Sequence, residues 1–197
     1  MRQISVVMVA SLFSSCVTST AFAHSAHFER MHGVWSGVAH PLFGLDHLLA
    51  MATVGLLSAQ CGGRAIWSVP SSFVLSMLVG GIAGMLDVSL PAVEYGIAAS
   101  IVLLGGAVAL GRKTSLVGPL MFAAVFGFFH GHAHGTEMPS LANPAWYAVG
   151  FVSSTIVLHI IGVVLGRFAI RSATGATCLR LCGAVIACAG VAFAVML

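Results

Sequence analysis

The sequence predicts an all-α membrane protein, a polytopic bundle of six transmembrane helices that follows a cleaved N-terminal signal peptide. Of its 197 residues, 59% are hydrophobic and only 7% are charged, and the mean hydropathy is +1.05. Soluble domains contain about 45–50% apolar and about 25% charged residues. This composition excludes a soluble globular enzyme, a disordered chain and a nucleic-acid-binding protein, and it makes the lipid bilayer the surroundings of the chain.

Residues 1–23 have the three parts of an export signal. Arg2 supplies the positive start, residues 4–13 form an apolar stretch, and Ala-Phe-Ala at 21–23 is a small-residue cleavage motif. Cleavage there leaves residues 24–197 as one transmembrane domain whose N-terminus lies outside the cytoplasm. An uncleaved signal anchor is the alternative, although the apolar stretch is short for a membrane span.

Six later apolar stretches each approach the ~20 residues that a helix needs to cross hydrocarbon. They lie at about 33–58, 65–86, 90–111, 115–136, 143–168 and 178–197. The first and fourth contain histidines together with Gly or Pro and run in opposite directions in this topology. We therefore hypothesise an inverted repeat of three plus three spans, with a site where the repeats meet.

The distribution of charge agrees with an exported N-terminus, because the first, third and fifth connections then face the cytoplasm. These connections and their flanks hold most of the basic residues, as the positive-inside rule expects: Arg64, Arg112, Lys113, Arg167, Arg171 and Arg180. The acidic residues lie on or near the outer face: Glu29, Asp87, Glu94 and Glu137. Such a rim concentrates cations. After an even number of crossings, both the mature N-terminus and the C-terminus are predicted to lie in the periplasm of a bacterial inner membrane.

The first predicted span contains His40, Asp46 and His47. Between them, Pro41 frees a backbone carbonyl, and Gly44 permits close approach or a break of the helix. An ionisable group inside hydrocarbon costs about 2.5–3.5 kcal/mol on insertion scales and is a functional candidate for that reason. On a straight helix His40 and His47 share a face, because seven steps of 100° make about 700°. Two imidazoles beside a carboxylate suit a borderline divalent cation such as nickel, cobalt or zinc. A His–Asp hydrogen bond that pins neighbouring helices is the alternative.

The end of the fourth predicted span contains a second polar group. His130, His134 and Glu137 follow one another at helical spacing and form one face, which favours metal ligation or ion passage. A polar helix end at the outer interface is the alternative, and it is the preferred interpretation for His132, which points to the opposite side. Glycines recur every fourth residue, at 127, 131 and 135, and favour close contact with another helix.

Three further residues are candidates for the same path. Glu94 lies early in the third span on the outer side, and Phe73 in the second span is either core or path lining. His159 in the fifth span is equally consistent with a helix-bridging hydrogen bond and with a metal ligand. A separate cluster near the new N-terminus is hypothesised to capture scarce metal outside the membrane: His24, His27 and His32.

The two histidine motifs resemble those of the HupE/UreJ family, the hydrogenase- and urease-accessory nickel permeases. The signature His-Pro-x-x-Gly-x-Asp-His, followed by a Met and a Val-Gly, is present between His40 and Gly55. The signature Phe-His-Gly-x-Ala-x-Gly-x-Glu is present between Phe129 and Glu137. The resemblance extends over the whole chain and implies secondary uptake of Ni²⁺, or of Co²⁺, for metalloenzyme maturation. It also implies that four residues carry transport, with Phe73 as a weaker addition: His40, Asp46, His47 and Glu94.

Two other functions would use the same residues differently. In an intramembrane zinc-dependent hydrolase, the His and Asp ligands would hold a metal that activates water. In a haem-binding or proton-conducting membrane subunit, facing histidines would be axial ligands or relays. The acidic outer rim and the lack of a soluble domain favour transport, so we expect a non-enzyme that passes a divalent metal ion and binds no permanent cofactor.

Overall fold

The computed structural model describes residues 33–112, 115–140 and 142–197. Within these ranges every regular element is a helix, which confirms the all-α class. In chain order the helices are α1 (Val34–Phe43), α2 (Leu45–Cys61), α3 (Ala65–Met85), α4 (Val93–Leu110), α5 (Val117–Thr136), α6 (Pro144–Ala169) and α7 (Ala173–Met196). The predicted signal peptide and the cluster of His24, His27 and His32 lie outside the described residues.

The chain is a multi-pass membrane protein. In its described part, α3, α4, α6 and α7 are long and apolar enough to cross a bilayer, and α1 with α2 forms a fifth candidate span. The remaining helix, α5, has 20 residues, but its three histidines make it too polar to qualify by composition. The count of six spans therefore stays a prediction.

The first span is not the single helix predicted over 33–58. Its two halves, α1 and α2, are bent by 82° at Gly44, whose backbone is extended with φ −78° and ψ 105°. Pro41 lies one turn before this break and has no N–H to donate within the helix. The sequence periodicity predicted that His40 and His47 share a face of one straight helix. This prediction is wrong, because the two residues lie on different helices.

The last helix also begins earlier than predicted. We expected a span over 178–197, but α7 begins at Ala173. The Ser172 side chain accepts a hydrogen bond of 3.0 Å from the backbone N–H of Gly175 and so satisfies one of the free donors of the first turn.

The helices pack mainly in three groups: α3 lies against α5, α4 against α7, and the bent pair α1–α2 against α6. Glycines bring the backbones into contact. A Cβ added at Gly131 on α5 would collide with the carbonyl oxygen of Met77, and one added at Gly55 on α2 would collide with that of His159. Exchanging the first three predicted spans with the last three leaves this pairing unchanged, which is the symmetry that an inverted repeat has.

The centre of the bundle is filled by large side chains that are fully buried. They come from α2, α3 and α6 and include Met51, Phe73, Met77, Tyr147 and Phe151. Asn143 starts α6 by accepting hydrogen bonds from the backbone N–H groups of Ala145 and Trp146, at 3.0 and 3.2 Å. The polar residues that the sequence singled out lie next to this core, where the break at Gly44 opens the first span.

Candidate metal site

The break at Gly44 brings two histidines of the first span together. His40 is in the last turn of α1 and His47 is in the first turn of α2. Their ring centroids are 5.4 Å apart with an interplanar angle of 82°. The bend therefore brings the rings closer together than the roughly 10 Å that separates two residues seven positions apart along a straight helix.

His134 of α5 completes a cluster with these two residues. Its ring centroid lies 4.7 Å from that of His40 and 4.6 Å from that of His47. One ring nitrogen from each of the three histidines lies within 4.8 Å of the others. Metal–nitrogen bonds are about 2.0–2.1 Å long, so a small closing movement of the rings would let all three coordinate one ion. We call these three residues the histidine cluster.

Asp46 orients His47. The Nδ1 atom of His47 donates a hydrogen bond of 2.8 Å to the Asp46 carboxylate, and the backbone N–H of His47 donates a second of 2.9 Å to the same oxygen. This fixes the proton on Nδ1 and leaves a lone pair on Nε2. The Nε2 atom is buried and has no hydrogen-bond partner in the described part of the chain. A carboxylate behind a ligating histidine is a usual arrangement at protein metal sites.

His134 has two ring nitrogens to offer. Both are buried, and neither has a hydrogen-bond partner among the described residues. The ring stacks on Phe151 of α6, with centroids 5.1 Å apart and an angle of 18°. A buried polar atom without a partner costs about 1–3 kcal/mol. The ring nitrogens of His134, which Phe151 holds in place, are therefore suited to bind a metal ion.

A carboxylate stands where the cluster opens. The Oε2 atom of Glu137 lies 3.2 Å from Nε2 of His40, and these side chains are 48% and 26% exposed. Burial raises the pKa of Glu137, but the hydrogen bond and the charge of His40 outweigh it, so that the pKa lies below its usual value. Glu94, exposed in the first turn of α4, interacts electrostatically with Glu137, Asp46 and His47. The opening of the site is therefore acidic.

His130 lies deeper than the cluster. Its ring centroid is 5.0 Å from that of His47 and 5.6 Å from that of Phe73. The hydroxyl of Ser100 on α4 donates to the carbonyl of Ile97, so it accepts at 2.9 Å from Nε2 of His130. This leaves Nδ1 of His130 as a buried lone pair without a partner in the described chain.

His132 faces away from these residues. Its Nε2 atom donates a hydrogen bond of 2.7 Å to the backbone carbonyl of Val88, in the connection before α4. The side chain of His132 is buried rather than exposed at a polar helix end, and its Nδ1 atom has no partner among the described residues.

The sequence alone did not identify two of the contacts that hold the site. Ser100 and Phe151 belong to neither histidine motif, and nothing in their local sequence separates them from other small or aromatic residues of a span. Only the packing of α4 and α6 against the cluster brings them next to His130 and His134.

Comparisons with known proteins cover nearly the whole described bundle. A family model described as HupE / UreJ protein matches residues 12–193. The chain is 37% identical to Protein HupE of Rhizobium leguminosarum bv. viciae over 186 residues, which are 94% of this chain and 95% of that protein. No solved structure matches this chain. Every residue of the histidine cluster lies inside the matched range.

Proposed function

The chain belongs to the HupE/UreJ family, and we propose that it is a secondary permease that imports Ni²⁺ without hydrolysing ATP. Co²⁺ is the second ion that we propose it accepts. The imported metal would supply the maturation of a hydrogenase or a urease. In this proposal the metal is cargo, and the protein holds no permanent cofactor.

The observation that carries this proposal is the histidine cluster inside a membrane bundle. Three imidazoles converge, and His47 and His134 present buried nitrogens that lack hydrogen-bond partners in the described structure. Nitrogen ligands favour Ni²⁺ and Co²⁺ over the harder Mg²⁺ and Ca²⁺, which prefer oxygen. The charge of Asp46 offsets part of the cost of bringing a dication into low dielectric.

The openness of the site supports passage rather than storage. Transport requires an ion to bind well enough to enter and weakly enough to leave. His40 is partly exposed beside the acidic opening, and one face of the cluster is therefore reachable from outside the bundle. A dication that is held by three imidazoles and retained water can be released, whereas a closed cage of four protein ligands would retain it.

We further propose the topology that such an importer needs. Residues 1–23 are removed, α1–α2 and α5 count as the first and fourth of six spans, and both termini lie in the periplasm. The arrangement of charge supports this orientation. Glu94 and Glu137 lie at the end of the bundle near the cluster. Arg64 precedes the first residue of α3 and Arg167 is in the last turn of α6, both at the other end of the bundle. Cations would thus approach from the acidic side.

The test of the proposal is ⁶³Ni accumulation by cells that lack other high-affinity nickel uptake. His47→Ala removes a cluster nitrogen and should abolish accumulation. His132→Gln is the control, because it changes a buried histidine of the second motif whose Nε2 atom is held by a backbone carbonyl. Uptake by the wild type should fall when Co²⁺ is added as a competitor. Normal accumulation by a well-expressed His47→Ala variant would contradict the proposal.

Three histidines are also the ligand set of some catalytic zinc sites, which keep an open position for water. A hydrolase of that kind would retain zinc in stoichiometric amount through purification, whereas a permease would lose its ion. Metal analysis of the purified protein, after dialysis without chelator, therefore separates the two functions.

A further inference from the structure

One buried histidine lies outside both the histidine cluster and the two histidine motifs. His159, in the middle of α6, is 2% exposed. Neither of its ring nitrogens has a hydrogen-bond partner among the described residues. The sequence left open a helix-bridging hydrogen bond or a metal ligand, and the described structure contains no such bridge.

A row of aromatic rings joins His159 to the cluster. The ring centroid of His159 lies 5.2 Å from that of Phe73, at an angle of 86°. Phe73 in turn lies 5.6 Å from His130, which is 5.0 Å from His47. Phe73 is fully buried, and its ring contacts both His130 and His159.

Positions on α6 and on α2 give the same depth of His159 below the histidine cluster. On α6 it follows Phe151, the residue that stacks on His134, by eight positions, which is about 12 Å at 1.5 Å per residue. On α2 its carbonyl meets Gly55, which follows His47 by the same number of positions. His159 therefore lies beyond the cluster in the direction of the basic ends of α2 and α6.

Two soft donor atoms contact Thr155, the residue one turn before His159. Thr155, one turn earlier on α6, donates its hydroxyl toward the sulfur of Met51 at 3.3 Å and lies 3.9 Å from the sulfur of Met77. Met77 is one turn from Phe73 on α3, and all of these side chains are fully buried. Imidazole nitrogen and thioether sulfur suit a borderline or soft cation better than a hard one.

We propose that His159 is a second ligand of the nickel path, which binds the divalent cation through a ring nitrogen after the ion has passed Phe73. This inference rests on the proposed function. An ion that leaves the histidine cluster meets an apolar region in which an unliganded dication is costly. A donor about 12 Å further on shortens that region, and multiple weak sites are how conduction pathways move ions.

The test uses two replacements of similar size, His159→Leu and His159→Met, in the full-length protein. Both remove the imidazole, and they differ chiefly in the thioether sulfur, which can still bind nickel. We expect His159→Leu to lower the initial rate of ⁶³Ni uptake by about tenfold, the lower limit for losing a group that supports metal binding. We expect His159→Met to retain several times the rate of His159→Leu, at equal amounts in the membrane.

Two controls distinguish a loss of metal binding at His159 from a change in helix packing and from damage to the histidine cluster. Ile160, the next residue, is 50% exposed, so Ile160→Leu and Ile160→Met should leave the uptake rate unchanged. Equilibrium dialysis of purified protein in lipid nanodiscs against Ni²⁺ should give the same affinity of the histidine cluster for wild type and His159→Leu.

Wild-type uptake by His159→Leu would overturn the inference. Equal losses in His159→Leu and His159→Met would also overturn it, because the ring would then matter only for its packing against Phe73. If wild-type protein takes up no more ⁶³Ni than His47→Ala, the proposed function itself fails, and this result does not depend on residue 159.

Discussion

At the scale of single residues, the site is organised by pairs in which a carboxylate holds a histidine. Asp46 holds His47 inside the bundle at 2.8 Å, and Glu137 holds His40 at the opening at 3.2 Å. The two pairs differ in exposure, because the Asp46 side chain is 30% exposed and that of Glu137 is 48% exposed. A charge in low dielectric acts more strongly than one near water, so the two acids should contribute differently to transport.

Asp46→Asn should abolish ⁶³Ni accumulation while the protein remains in the membrane in normal amount. The amide oxygen of Asn can still accept the hydrogen bond from Nδ1 of His47, so the ring orientation is kept. What is lost is the negative charge that offsets the cost of a dication beside His47. Uptake by intact cells, normalised to immunoblotted protein, is the measurement. Full uptake by a well-expressed Asp46→Asn variant would exclude Asp46 from the transport site.

Glu137→Gln should have a milder effect, limited to low nickel concentration. Glutamine still accepts from His40, but the charge that attracts cations to the opening is removed. Because salt screens exposed charges over about 8 Å at physiological ionic strength, the difference from wild type should shrink as salt is raised. Initial rates over a range of nickel and salt concentrations test this. A loss as complete as that of Asp46→Asn would mean that Glu137 binds the ion directly.

At the scale of helices, glycine contacts determine where the histidines lie. Gly131 stands between His130 and His134 on α5, and its Cα faces the backbone of Met77 on α3. The close approach of these two helices therefore brings His134 into the histidine cluster and His130 to the position beneath it. Gly118 on the same helix faces open space, since no atom lies within 4 Å of the position its Cβ would take.

Gly131→Ala should destabilise the protein and reduce uptake, whereas Gly118→Ala should do neither. Overpacking costs about 1–3 kcal/mol, and α5 can relieve it only by moving away from α3 together with its histidines. Alanine at position 118 should leave stability unchanged or raise it by at most about 1 kcal/mol, because alanine favours the helix over glycine. The fraction of purified protein that stays monodisperse after heating measures the effect. Equal melting of the two variants would contradict the role assigned to the α3–α5 contact.

The same scale shows which features the sequence could predict. The spans expected at 65–86 and 143–168 match α3 and α6 within one or two residues, because long apolar runs between turn residues leave few alternatives. Gly44 was recognised as a possible break, but the 82° angle of the bend and the packing of α1 against α6 were not predicted. There a Cβ on Gly37 would collide with the carbonyl of Tyr147. The sequence named His134 as a candidate, but its place beside His40 depends on contacts between distant helices.

At the scale of the whole molecule, acidic and basic residues lie at opposite ends of the bundle. The cluster, Glu94 and Glu137 lie toward one end. The basic residues before α3, around the end of α6 and in the first half of α7 lie toward the other: Arg64, Arg167, Arg171 and Arg180. Arg180 also donates a hydrogen bond of 2.9 Å to the carbonyl of Ala109, at the end of α4, and so joins two helices at the basic end. In the proposed orientation, in which the basic end faces the cytoplasm as the positive-inside rule expects, an ion would travel from the acidic end past Phe73 toward the basic end.

This orientation predicts that Leu197 lies in the periplasm. A reporter that is active only after export, fused after Leu197, should be active, and a reporter that is fluorescent only in the cytoplasm should be dark there. The same pair inserted at Gly62–Gly63, between α2 and α3, should give the opposite result, because one crossing separates this turn from the mature N-terminus. A cytoplasmic C-terminus would mean an odd number of crossings. A further insertion after Ser140 would then show whether α5, the helix that is too polar to qualify by composition, is the one that does not cross.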